Sequence, residues 1–221
     1  MIDAILPQSV VAAESFDDPP AVLFPEEEAV ISRAVDKRRR EFATARLCAR
    51  RAMAALGVAA APVLPGPRGE PRWPDGVVGS MTHCTGYRAA VLGRAGQVTS
   101  IGIDAEPDGP LPPGVLGEVA LPEEQELLRA LAAEDARMCW DKLLFSAKES
   151  VYKAWFPLTG RWLGFEEAVV EIAPAAGTFE ARLLVPGPVV DGTKLTGFSG
   201  RWLAEHGLVV TAIVVPSAPE A

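Results

Sequence analysis

The sequence has few of the residues that commonly advertise a catalytic centre: two histidines, three cysteines and two tyrosines among 221 residues. Cys48, Cys84 and Cys139 are odd in number and widely spaced, which fits neither a disulfide framework nor a CxxC zinc site. Reduced, structural thiols are therefore expected. An uninterrupted apolar run of about 18 residues is also missing, so no membrane-spanning helix is predicted. The opening Met-Ile-Asp-Ala-Ile-Leu-Pro has neither the basic start nor the apolar core of a secretion signal, and a cytoplasmic location is expected. Positive charge is scarce as well. With 21 Lys and Arg against 29 Asp and Glu, the formal charge is −8, which argues against a nucleic-acid binder or a membrane-surface protein, since both want a basic field.

What positive charge there is clusters. Lys37, Arg38, Arg39, Arg40, Arg46, Arg50 and Arg51 place seven of the 21 basic residues between positions 37 and 51, pointing to one local anionic ligand on an acidic protein. Hydrophobic residues make up 49% of the chain, enough to build one large core or two lobes of about 100 residues each.

Residues 1–25 are Pro-rich and weakly patterned. Pro25 followed by Glu26, Glu27 and Glu28 predicts a helix start, with the acids favouring its dipole, and a helical tract to about Leu56 with Gly57 as the stop. Five prolines between Ala61 and Asp75 predict a loop. Strands are predicted over 76–81, 87–93 and 98–105, then a Pro- and Gly-rich midpoint, helices over 122–131 and 136–155, and strands such as 168–172, 179–185 and 208–215. Helix followed by strands thus occurs twice.

Four groups of residues could carry chemistry. Asp104 and Glu106 alternate on a predicted strand and so share a face, where two repelling carboxylates call for a cation; oxygen ligands of this kind suit Mg²⁺, and a solvated strand end is the plain alternative. Glu149 lies on an apolar helix between Phe145 and Tyr152, with Lys153 four residues on as its simplest partner. Arg39, Arg46 and Arg50 share one side of the basic helix, matching phosphate oxygens or else acids folded against them. Gly79-Ser80-Met81-Thr82-His83-Cys84 ends a strand in small polar residues and a histidine, a place where phosphates are commonly held, with a turn-capping or core histidine as the plain alternative. Adjacent residues point to opposite faces, so a Cys84–His83 nucleophile pair is not expected.

The order of these groups resembles a known family. Gly-Ser-Met-Thr-His-Cys at 79–84, Ile-Gly-Ile-Asp-Ala-Glu-Pro at 101–107, and Trp-Asp-Lys followed by Ser-Ala-Lys-Glu-Ser-Val-Tyr-Lys-Ala within 140–154 are similar to the three signature blocks of the Sfp-type 4'-phosphopantetheinyl transferases. Flanking segments at 38–46, 69–74 and 155–159 look like the EntD-related, actinobacterial branch. The resemblance implies an α+β fold of two pseudo-twofold-related lobes, here 1–103 and 104–221, with the active site in the cleft between them. It implies transfer of the 4'-phosphopantetheine of coenzyme A to a serine of an apo acyl or peptidyl carrier protein of a polyketide, nonribosomal peptide or fatty-acid system, releasing 3',5'-ADP. Asp104, Glu106 and Glu149 become Mg²⁺ ligands, and Glu149 also the general base. Lys148 and Lys153 become phosphate contacts, with Lys153 and Asp104 in the catalytic set. Arg38, Arg46, Arg68 and His83 match positions that bind the 3'-phosphate or diphosphate, with Glu70, Ser80 and Thr82 beside them. Relatives often carry lysine where this chain has Pro65, leaving Arg68 to compensate. A monomer is implied. A metal-dependent phosphohydrolase and a coenzyme A-binding module are the competing readings.

Overall fold

The computed structural model describes residues 1–218. The first half contains β1 (Val10–Ser15), α1 (Pro25–Ile31), α2 (Asp36–Ala55), β2 (Leu64–Pro65), β3 (Pro71–Arg72), β4 (Val77–Cys84), β5 (Tyr87–Arg94) and β6 (Val98–Pro107). After it come α3 (Val115–Val119), α4 (Pro122–Glu134), α5 (Trp140–Thr159), β7 (Ala168–Ala173), β8 (Thr178–Leu183), β9 (Val189–Val190), β10 (Thr193–Lys194), β11 (Gly197–Glu205) and β12 (Leu208–Pro216). The fold is α+β. No helix among the described residues is long and apolar enough to cross a membrane.

Two antiparallel sheets carry the architecture, one ordered β1-β5-β4 and one ordered β6-β12-β11-β8-β7. Helix α2 covers the first through Cys48, Ala49, Ala52 and Met53, which recur at helical spacing and pack on Ala90 and Leu92 of β5. The other face of β5 presents Tyr87, Ala89 and Val91 to Ile101, Ile103 and Ala105 of β6 and to Leu208, Val210 and Ala212 of β12. Because side chains alternate along a strand, β12 turns Val209 and Ile213 the opposite way, toward α5.

Strand β6 uses its alternation differently. Its α5-facing residues are Ser100, Gly102 and Asp104, small or polar rather than bulky, and Ser100 Oγ donates to Ala154 O at 2.6 Å. A Cβ on Gly102 would lie 2.0 Å from Ser150 O and 2.7 Å from Ala154 N. Glycine is required there by close approach, and α5 therefore lies almost on the backbone of β6.

Three expectations need correction. The helical tract over 25–56 is two helices, because Ser32 Oγ bonds back to Ala29 O and Arg39 Nη1 donates to Ile31 O, ending α1 before α2 begins. The loop at 61–75 contains the small β2–β3 ladder, with Leu64 opposite Arg72. The weakly patterned residues 1–25 include β1, which pairs over its whole length with Arg88 to Gly93 of β5; its Ala-Ala centre carries little strand propensity of its own.

Candidate active site

The close packing of α5 on β6 decides which charged groups meet. Lys153 Nζ donates to Asp104 Oδ1 at 2.7 Å and to Ile103 O at 3.0 Å. The i,i+4 pair of Glu149 with Lys153 is therefore not formed: Lys153 turns to β6, and Glu149 has no ion-pair partner among the described residues. Burial first, and the charge of Asp104 next, push the Glu149 carboxyl above its ordinary range. Glu106 is raised in the same order of causes, although Lys142 Nζ stands 3.6 Å from its Oε2 and opposes the shift. Asp104 is buried; its Oδ1 accepts from Thr82 Oγ1 at 3.3 Å as well as from Lys153, while its Oδ2 is buried with no hydrogen-bond partner.

An orphaned buried carboxylate oxygen flanked by two carboxyls of raised pKa fits a hard cation with oxygen ligands. Among the described residues no three carboxylate, imidazole or thiol groups yet converge on one point at ligand distance. Lys153 and Lys142 instead draw Asp104 and Glu106 toward themselves.

A cleft of about 740 Å³ opens beside this cluster, with Arg68, Glu70, Trp73, Ser80 and Met81 on one side and Glu149, Tyr152, Lys153 and Phe156 on the other. A smaller cavity of about 200 Å³ shares Glu149 and Tyr152 with it and is otherwise walled by Lys148 and by mostly apolar groups, including Trp162, Leu163 and Phe165. At the first-sheet side of the site Arg38 Nη1 meets His83 Nε2 at 2.5 Å. Desolvation by crowding neighbours, on a ring that still has an exposed face, and then the Arg38 charge hold His83 below the ordinary imidazole range, so a neutral ring can accept that bond. Arg46 donates through Nε to Val63 O at 3.2 Å, and its guanidinium lies over the Phe42 ring at 3.4 Å. That leaves the two Nη groups for an anion.

Other predicted residues stand elsewhere. Arg39 is taken up by Glu28 and Arg50 by Glu27, so two of the three arginines expected on one phosphate-facing side are neutralised by α1. Ser80 and Thr82 reach the site, but their hydroxyl oxygens accept the N–H groups of Ile103 and Ala105 at 3.1 Å each, stitching β4 to β6 where no backbone ladder runs. Glu70 Oε2 accepts Arg68 N at 2.9 Å and braces the hairpin tip. Lys148 is the clearest correction. Its ammonium donates to Phe165 O at 2.7 Å and Ala168 O at 3.0 Å and pairs with Glu124 Oε2 at 2.7 Å, so its three protons are engaged inside the protein and none is left for phosphate. The thiols behave as expected: burial raises Cys48 to about 11 and Cys84 to about 12, and all three cysteines are free.

Sequence reasoning missed Glu27 and Glu124, both almost fully buried. Each follows the first proline of its helix by two positions, in Pro25-Glu26-Glu27 and Pro122-Glu123-Glu124, and each accepts the N–H of the residue just before that proline, Phe24 or Leu121. Each also accepts a distant backbone N–H, Val63 or Val170, and pairs with a cation on the long helix of its half, Arg50 or Lys148. The repeated Pro-Glu-Glu was the available signal.

Comparison with known proteins agrees with this architecture. A family model described as the 4'-phosphopantetheinyl transferase N-terminal domain matches residues 26–93, and one described as the 4'-phosphopantetheinyl transferase superfamily matches residues 100–199. The chain is 60% identical over 219 residues to the 4'-phosphopantetheinyl transferase Svp of Streptomyces mobaraensis, covering 97% of this chain and 89% of that protein. It is 49% identical to the 4'-phosphopantetheinyl transferase PptT of Mycobacterium tuberculosis, over 97% of this chain and 98% of the relative. Enterobactin synthase component D of Salmonella typhi is 32% identical over 92% of this chain and 73% of its own length.

Proposed function

The chain belongs to the 4'-phosphopantetheinyl transferases, and from that membership we propose that Asp104, Glu106, Glu149 and Lys153 form the centre at which the transfer takes place. The protein is a transferase that moves the 4'-phosphopantetheine of coenzyme A to a carrier protein. Neither the phosphohydrolase nor the binding-module reading has a counterpart in these relatives.

The observation that carries the assignment is the unpartnered, buried Asp104 Oδ2 beside Lys153, at the edge of the cleft that Glu149 lines. Asp104, Glu106 and Glu149 would hold Mg²⁺, which when bound offsets negative charge on the diphosphate. The chain's own residues supply the rest. Arg38, Arg46, Arg68 and His83 bind the phosphates of coenzyme A, and Lys153, with one ammonium proton not committed to β6, faces the reacting diphosphate. Glu149 takes the proton of the carrier serine; the serine oxygen bonds to the phosphorus that bears pantetheine, the diphosphate P–O bond breaks, and 3',5'-ADP leaves. The placement of Glu149 supports that role, since it lines the cleft and has no ion-pair partner among the described residues to occupy its carboxylate. Catalysis is then mostly placement and charge. Two lobes acting as a cytoplasmic monomer complete the proposal, with their boundary before β6 rather than between 103 and 104, since that division would cut a strand paired throughout with β12.

Intact-mass spectrometry of an apo carrier protein incubated with this protein, coenzyme A and Mg²⁺ tests it. A gain of one phosphopantetheinyl group that disappears with a chelator is expected; a gain unaffected by the chelator removes the metal from the assignment. For the hairpin, Arg68→Ala is expected to raise the KM for coenzyme A by about tenfold, the loss of one charge-assisted contact. An unchanged KM takes the hairpin out of the site.

A further inference from the structure

Glu27 is fully buried and outside the set of residues assigned above, and its carboxylate is saturated. Oε2 accepts Phe24 N at 3.0 Å and Arg50 Nη1 at 3.0 Å, and Oε1 accepts Val63 N at 2.9 Å. A buried charge is costly unless every lone pair is answered, so this arrangement is rigid.

The Val63 end of the arrangement concerns the cleft. Its N–H is held by Glu27, its C=O accepts from Arg46 Nε, and its side chain is enclosed among Cys48, Ala49, Met53 and Val77. The next residue begins the β2–β3 hairpin. That ladder cannot orient itself: it has two residue pairs, and one of them sets Pro65 against Pro71, neither of which has an N–H to donate. The tip beyond it is internally braced, with Gly66 N donating to Glu70 O at 2.7 Å and Arg68 N to Glu70 Oε2 at 2.9 Å. A stiff tip on a weak ladder takes its direction from its two roots, Val63 before β2 and Trp73 after β3, whose Nε1 donates to Gly79 O at 2.8 Å, and of the two only Val63 is held by a buried charge. The tip brings Arg68 to the cleft wall opposite Tyr152 and Lys153. Glu124 holds Val170 at the start of β7 in the same manner, so the device is used in both halves of the chain.

We propose that Glu27 is a positioning residue for coenzyme A: by fixing Val63 it sets where Arg68 stands over the cleft, without touching the ligand. The proposal rests on the reading of Arg68 as a phosphate contact. The test compares steady-state kinetics of Glu27→Gln, Arg68→Ala and the double variant, each first checked for a native circular dichroism spectrum. Glu27→Gln is expected to raise the KM for coenzyme A by about tenfold with kcat within about twofold of the parent. The double variant is expected to fall well short of the product of the two single effects, because Glu27 acts mainly through Arg68, with Arg46, held by the carbonyl of Val63, as its only other route to the phosphates. A purely structural Glu27 would lower the unfolding temperature and leave KM alone, and an unchanged KM overturns the proposal. KM effects that multiply in the double variant also overturn it. If Arg68→Ala has no effect while Glu27→Gln does, the reading of Arg68 has failed and Glu27 acts by another route. If Glu27→Gln does not fold, Glu27→Asp carries the same test, since it keeps the charge beside Arg50 but is one methylene too short for Val63 N.

Discussion

Replacing Glu149 with glutamine is expected to lower turnover by about 10²- to 10⁴-fold, the range for loss of a general base, while leaving the metal-free protein at least as stable as the parent. The two halves of that expectation have one cause. Burial and the neighbouring Asp104 raise the Glu149 pKa in the folded protein. A carboxyl whose folded pKa lies above its unfolded value makes the protein lose stability as pH rises from the ordinary glutamate value to the raised one, and the loss persists at neutral pH. A neutral glutamine of the same shape removes that repulsion from Asp104 and Glu106. Thermal unfolding in the presence of a chelator at neutral pH should show an unchanged or higher midpoint, and a marked fall would mean that Glu149 is chiefly a structural group. Kinetics separate its two proposed roles. Raising the Mg²⁺ concentration should not restore the variant if Glu149 accepts the serine proton, whereas recovery at high Mg²⁺ would reduce it to a metal ligand.

The site was legible in sequence where local periodicity determines it. Asp104 and Glu106 share a face because they alternate on β6, and Ser80 with Thr82 reach β6 because they alternate on β4. What was not legible depends on how closely two elements approach. Nothing in the helix spacing of Glu149 and Lys153 reveals that Gly102 lets α5 sit on β6, and that approach is what turns Lys153 away from Glu149 to Asp104. The arginines show the same limit. Their spacing on α2 is correct, but Glu27 and Glu28, read from sequence as companions of a helix dipole, fold across and claim Arg50 and Arg39. The order of the long elements followed from periodicity and the α+β class from the family resemblance, while β1 followed from neither, because its pairing with β5 is set by tertiary contact rather than by its own Ala-rich centre.

Lys148→Met is expected to destabilise the protein by about 3–5 kcal/mol, the cost of stranding one member of a buried ion pair. Glu124 and Lys148 are 1% and 2% exposed at their side chains and 2.7 Å apart. Glu124 also accepts Leu121 N at 2.8 Å and Val170 N at 2.7 Å, so the pair ties the start of α4 and strand β7 to α5, one residue before Glu149. Methionine has the length to fill the space but leaves the carboxylate charge unanswered and the carbonyls of Phe165 and Ala168 without a donor. Denaturant unfolding should show the loss directly. Adding Glu124→Gln should cost less than the sum of the two single changes, because the second substitution removes the charge that the first had stranded. The phosphate-contact role implied by family resemblance makes the opposite forecast: a raised KM for coenzyme A with the unfolding midpoint unmoved. With every ammonium proton already taken by internal acceptors, binding a phosphate would require breaking one of those bonds in a buried setting. On this geometry the effect of Lys148→Met on the KM for coenzyme A is expected to appear only in proportion to lost stability.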